Sequence, residues 1–181
     1  MPRLFLIRHG EPAAEWGAPG GDAPLSPLGL AQAADAAARL RTLGVGAAIT
    51  SPLKRCRETA AAFEMETGTV ARVVDAVTEI PSPAVADRRA WLAEVMQSRW
   101  SALPALAGFR ARLLDALSAL REDTAVFSHF VAINAAVGAA EGRDEVLVFK
   151  PAHASITELA LEDGRLRLVA RGGETPTVNA L

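Results

Sequence analysis

The 181-residue chain is half hydrophobic, carries a formal charge of −2 and has a pI near 5.9. It has enough apolar residues for a full core, and no excess of Lys or Arg to neutralise a nucleic-acid backbone. Cys56 is the only cysteine, which excludes an intrachain disulfide and a cysteine zinc cluster and suits a reducing compartment. The apolar run Leu4–Ile7 is too short for a signal peptide, and no segment approaches the ~20 apolar residues of a membrane span. These features predict a cytoplasmic protein that does not engage membranes.

Arg3–Arg8 is an apolar run ending at His9-Gly10 and reads as a buried strand. Residues 11–24, rich in Gly, Pro and Ala, read as a loop. Ser26-Pro27 then opens a helix, with Ser as N-cap and Pro in the first turn, stopping near Gly44. Gly46–Thr50 is a second strand. Ser51-Pro52 repeats the helix start, and that helix continues to about Thr67. Thr69–Val74 is a β-branched third strand.

Residues 75–104 are the least regular part. Pro81 and Pro83 forbid strand pairing around Ser82, and helices follow at about Ala86–Trp100 and Leu106–Leu120. Thr124–Phe127 is a strand, Ser128-His129 follow, and Val131–Ala140 is a very apolar helix. Val146–Phe149 and Ser155–Leu161 read as strands. Glu162-Asp163-Gly164 is a hairpin turn leading into a strand over Leu166–Ala170. With no linker or repeat, residues 1–181 read as one domain. Its fold class is α/β, a three-layer α/β/α sandwich with a mostly parallel sheet and helices on both faces.

Ligands of such sheets bind beyond the carboxyl ends of the strands. Three polar clusters lie there: Arg8-His9-Gly10-Glu11, Thr50-Ser51 with Lys54-Arg55, and Ser128-His129. An unprotonated histidine can attack phosphorus. A neighbouring Arg8 opposes ring protonation and can hold phosphate oxygens in a planar fork. Gly10 leaves room for a phosphate near the backbone. Arg55, in the first turn of its helix, and His129, at a helix start, both stand where anions are favoured. Each also has a plain structural reading, as a solvated charge or a core histidine. His153, after Pro151, reads mainly as structural.

A carboxyl close to bound phosphate could protonate the leaving oxygen. Glu79 fits, Asp75 is its rival on the same segment, and Asp22 and Asp87 are weaker rivals.

In order along the chain, Leu6-Ile7-Arg8-His9-Gly10-Glu11, residues 25–33, residues 50–60 and Ser128-His129 resemble the successive motifs of the histidine phosphatase superfamily, which includes the cofactor-dependent phosphoglycerate mutases. The resemblance implies His9 as the nucleophile that becomes phosphorylated, Arg8, Arg55 and His129 as the phosphate pocket, and Glu79 as the proton donor. It implies no metal and no cofactor. Two departures stand out. Ile80-Pro81-Ser82-Pro83 replaces a Gly-rich acidic stretch, and Phe130 replaces a common Gly after the second histidine. Phe130 is expected to pack under its helix.

The expected reaction is hydrolysis of a phosphomonoester, or of a phosphoprotein, through a phosphohistidine. Mutases of the family use longer chains to shield the intermediate, whereas the stretch from the third strand to the next clear helix is short here. Mutase-type phosphoryl transfer and non-catalytic binding of a phosphorylated ligand remain the alternatives. Between Ile80 and Trp100, the apolar Val85, Trp91 and Met96 read as core, while Arg88, Arg89 and Arg99 could select an acidic phosphorylated metabolite.

Overall fold

A computed structural model describes residues 1–14, 22–85 and 87–175. Six strands form one sheet: β1 (Arg3–Arg8), β2 (Ala47–Thr50), β3 (Arg72–Val73), β4 (Thr124–Ser128), β5 (Ile156–Glu162) and β6 (Arg165–Ala170), in the order β3-β2-β4-β1-β5-β6. β3, β2, β4 and β1 are mutually parallel, and β5 and β6 run antiparallel to them as an edge hairpin. The longer helices are α1 (Pro27–Thr42), α2 (Lys54–Thr67), α3 (Arg88–Met96), α4 (Ala107–Ser118) and α5 (Phe130–Ala140).

Parallel strands covered on both faces need apolar residues at every position, and β1 shows how that need is met. Leu4 and Leu6 enter one core with Val126, Leu113, Leu117 and the residues of α5. Phe5 and Ile7 enter the other with Phe127, Leu40 and Phe63, between the sheet and α1 and α2. The three-layer α/β/α reading therefore holds, with the antiparallel hairpin as its exception to parallel order. Among the described residues, no helix is long and apolar enough to cross a membrane.

Local chemistry sets the element ends. Ser26 Oγ accepts from the Gly29 N–H at 3.0 Å, and Pro27 opens α1 as expected. Asp163 and Gly164 both take positive φ, 50° and 76°, which suits the right-handed twist of a two-residue hairpin.

Several expectations are revised. Ser51 does not cap α2, which starts at Lys54 behind Leu53; the cap is the Asp22 carboxylate, whose oxygens accept from the Lys54 N–H at 2.8 and 2.9 Å. The strand expected over Thr69–Val74 contracts to Arg72–Val73. The helix expected from Ala86, which lies outside the described residues, begins at Arg88 after the Asp87 cap and ends at Met96. The loop expected over residues 11–24 lies partly outside the described residues.

Val146–Phe149 is not a strand. The buried Asn134 side chain takes the N–H groups of Val148 and Phe149 at 2.8 and 3.0 Å, satisfying them without a sheet partner. Trp91 and Met96 pack against the core, as expected, with Ile80, Leu92, Val95 and Trp100 inside it, whereas Val85, also expected in the core, is exposed.

Candidate active site

The carboxyl ends of β1, β2 and β4 meet at one edge of the sheet, because these strands are parallel and adjacent. The His9 N–H donates to the Ser128 carbonyl at 3.0 Å, and the Ser51 N–H to the Phe127 carbonyl at 3.0 Å. The three polar clusters are thus tied together through backbone.

Gly10 serves packing rather than anion access. A Cβ there would lie 2.4 Å from the Gly29 carbonyl oxygen, so its absence lets the start of α1 close on β1. The Gly10 N–H is occupied as well, donating to Thr59 Oγ1 at 3.0 Å.

Arg8, His9, Arg55 and His129 are 4%, 6%, 7% and 0% exposed. At that burial, charges interact strongly and protonation is costly. His9 Nδ1 lies 2.9 Å from the Gly10 carbonyl, which can only accept, so Nδ1 carries the hydrogen and Nε2 keeps its lone pair. Burial, then His129, Arg55 and Arg8, hold the His9 pKa well below its ordinary value. The ring is therefore neutral at pH 7, with one nitrogen available.

His129 lies with its ring centroid 5.3 Å from that of His9, edge to face. Arg55 Nη2 approaches His129 Nδ1 at 3.2 Å. Because a guanidinium only donates, Nδ1 accepts, and Nε2–H donates to Ser51 Oγ at 2.7 Å. Burial and the two arginines keep this ring neutral as well. Cys56 lies beside it, its Sγ donating to the Ser128 carbonyl at 3.2 Å, and burial pushes its thiol pKa up, so it stays protonated.

Arg8 is held from two sides. Its Nη1 donates to the Pro151 carbonyl at 2.8 Å, and its guanidinium carbon sits 5.0 Å over the Phe130 ring. Phe130 is buried, as expected, and its added role is to support Arg8 by a cation–π contact. Among the described residues, Arg8 Nε is buried without a hydrogen-bond partner. Desolvation pulls the Arg8 pKa to about 10, which still leaves it charged at pH 7. A buried guanidinium with an open donor next to a second buried guanidinium calls for an anion.

Glu79 sits beside this pair. Oε1 accepts from the Ile80 N–H at 2.9 Å and Oε2 from the Val131 N–H at 3.4 Å, in the first turn of α5. Ser128 Oγ donates to the Val77 carbonyl at 2.8 Å, fastening the turn that precedes Glu79 to the end of β4. The residue keeps some exposure, but burial of its carboxyl raises its pKa against the opposing effect of those N–H groups and of Arg55 and Arg8. The rival carboxylates have other settings. Asp75 is exposed, Asp87 caps α3, and Asp22 caps α2 and faces Arg55 Nη1 at 3.6 Å.

Arg99 pairs with Glu145 at 3.6 Å, so it is engaged at the surface; Arg88 and Arg89 are exposed in the first turn of α3. Ser51, placed in the strand-end cluster from the sequence but also expected to start a helix, instead holds His129. One residue at the site was not assigned to it from the sequence. His153 was expected to be structural, yet its ring centroid is 5.7 Å from that of His9. The signal for His153 was the hairpin. Once β5 is antiparallel, the residues before it must lie at the edge where the parallel strands end. Among the described residues, no group of three or more His, Cys, Asp or Glu could hold a metal ion.

The profile of the histidine phosphatase superfamily (branch 1) matches residues 4–172. The chain belongs to the histidine phosphatase superfamily. No curated protein matches it. Among solved structures, a mycobacterial glucosyl-3-phosphoglycerate phosphatase is similar at TM-score 0.78 and 22% identity, over 97% of this chain and 100% of that one. A phosphoserine phosphatase of Entamoeba histolytica, solved with 3-phosphoglyceric acid, gives 0.69 and 18%, over 96% and 98%. A protein of Thermus thermophilus gives 0.65 and 24%, over 94% and 99%. At these identities the neighbours speak for a shared fold. As a histidine phosphatase superfamily member, the chain has the mixed sheet of these neighbours, and its buried cationic pocket lies at the carboxyl edge of the parallel strands.

Proposed function

We propose that the protein is a metal-independent phosphatase that hydrolyses small phosphomonoesters through a phosphohistidine on His9. One observation carries the reading: a neutral, buried imidazole has its Nδ1–H committed to the Gly10 carbonyl, and two buried arginines, Arg8 and Arg55, oppose its protonation. The ester phosphate binds Arg8 and Arg55, with His129 completing the pocket. His9 Nε2 attacks phosphorus in line, and the P–O bond to the leaving group breaks as Glu79 delivers its proton to that oxygen. Glu79, now a carboxylate, takes a proton from water, whose oxygen attacks the phosphohistidine. Inorganic phosphate leaves, and both side chains return to their starting states.

The raised pKa of Glu79 supports its role as the acid, since a protonated carboxyl is needed for the first step. Hydrolysis is favoured over mutase-type transfer because the connection between β3 and α4 carries only the nine-residue α3 and short 3₁₀ turns. That leaves little chain with which to keep water from the intermediate. The neighbours named for glucosyl-3-phosphoglycerate and phosphoserine point to acidic phosphorylated metabolites as the substrate class. The cytoplasm, where such metabolites are found, is the expected location.

The test is a panel of phosphomonoesters that includes phosphoserine and 3-phosphoglycerate, assayed by phosphate release with wild-type protein and His9→Ala. Turnover of at least one ester by wild type alone is expected. Release that persists in His9→Ala, or binding of esters without any release, would defeat the assignment.

A further inference from the structure

His9 is flanked by two imidazoles. His129 is fully buried, and both its ring nitrogens are engaged, by Arg55 and by Ser51. His153 is half-buried, tilted 40° to His9, and among the described residues its ring nitrogens have no hydrogen-bond partner.

The backbone goes to some trouble to put His153 there. Ala154 takes φ 53°, in the left-handed region that residues with a Cβ seldom occupy. This turn lets the Ala154 N–H donate to the carbonyls of both Arg8 and His9, at 2.9 and 3.3 Å. The Pro151 carbonyl accepts from Arg8 Nη1, and the Ser155 carbonyl accepts from the Arg8 N–H at 3.3 Å. The segment carrying His153 is therefore hooked onto the nucleophile and its neighbouring arginine. Strained backbone that persists at such a place is a mark of function.

Resting on the phosphohistidine reading above, we propose that His153 is a second imidazole of the phosphoryl pocket, donating a hydrogen bond to a non-bridging oxygen as the phosphoryl group passes to and from His9. It is half-buried, whereas His129 is fully buried with both ring nitrogens engaged, so the two imidazoles meet His9 from different settings. Burial and Arg8 lower its pKa to about 4, so at pH 7 it offers one N–H without adding a third cation that would retain the product phosphate.

Two variants separate a donor from a packing ring. His153→Asn keeps a neutral N–H donor, and His153→Phe keeps a flat ring without one. The readouts are the affinity for orthovanadate, which adopts the geometry of the transferring group, and kcat on the best ester. His153→Phe is expected to lose about 10- to 100-fold in both, the loss of one hydrogen bond to a charged group, and His153→Asn to recover most of it. Wild-type values in His153→Phe, or equal losses in both variants, would overturn the proposal. If the wild-type protein itself binds no vanadate, the phosphohistidine reading fails first and takes this proposal with it.

Discussion

The strand-end residues and the loop residues of this site are held by different means. Arg8, His9, Ser51, Ser128 and His129 extend the parallel strands, and the register that pairs Leu6 with Val126 and Ile7 with Phe127 also fixes where they stand. Glu79 and His153 come from connections. Each is set by a few hydrogen bonds, from Ile80 and Val131 in one case and from Ala154 in the other. In the proposed reaction the strand-end half supplies the nucleophile His9 and the charge of Arg8, and the loop half supplies the carboxyl that changes protonation and the half-buried ring of His153. Charges that bind phosphate profit from preorganisation. A proton shuttle needs access to the leaving oxygen and to water, which a strand end under two helices does not give.

That contrast can be broken first at Glu79. Glu79→Gln keeps the shape but cannot release a proton, so phosphate release from esters with poor leaving groups is expected to fall about 10²–10⁴-fold. p-Nitrophenyl phosphate, whose leaving group needs little protonation, should lose less in its phosphorylation step. Unchanged rates on both would move the acid to Asp75.

Arg55, held in the first turn of α2 rather than on a loop, is the next test: Arg55→Ala is expected to cost about 10²–10³-fold in kcat/KM, as for other preorganised donors. Arg55→Lys should not restore it fully, because the planar fork is lost. A wild-type rate in Arg55→Ala would separate Arg55 from the phosphate pocket.

How much of this could be read from the chain follows the same division. β1, β2 and β4 are legible because a strand covered on both faces must be apolar throughout, and its end is where apolar residues give way to Arg8-His9, Thr50-Ser51 and Ser128-His129. Ser26-Pro27 is legible as a helix start because the cap is local. Ser51-Pro52 has the same letters and a different outcome. Its hydroxyl is claimed by His129, which lies 78 residues away, and no local rule encodes that. Val146–Phe149 has the composition of a strand, but its N–H groups are claimed by Asn134. His153 was hidden by treating each histidine with its sequence neighbours, when the antiparallel pairing of β5 decides its place.

Stability experiments test the packing side of the comparison at smaller magnitude. Gly10→Ala drives a Cβ into the Gly29 backbone, which cannot swing aside, and should cost about 1–3 kcal/mol in urea unfolding. Asn134→Leu leaves the Val148 and Phe149 N–H groups without their partner, with an expected cost of about 1–3 kcal/mol.

Glu79 adds a pH signature. Its folded pKa is raised, so above the ordinary carboxylate range the unfolded chain binds fewer protons than the native one, and stability falls as pH rises through that window. Glu79→Gln should therefore be the more stable protein at pH 7, with the advantage gone once pH falls below the ordinary glutamate pKa. An advantage of the variant that is the same at pH 4 and pH 7 would argue against a strained carboxyl. The smallest effect expected is that of EDTA: two arginines supply the charge that a divalent ion supplies elsewhere, so activity should not change.

The central claim is that one of three clustered histidines, His9, carries the phosphoryl group. Rapid quenching during turnover, followed by peptide mapping under alkaline conditions that preserve phosphohistidine, asks this directly. A single acid-labile phosphate on the peptide containing His9, absent in His9→Ala, is the predicted result. Label on His129 or His153, or label that persists in His9→Ala, would contradict it.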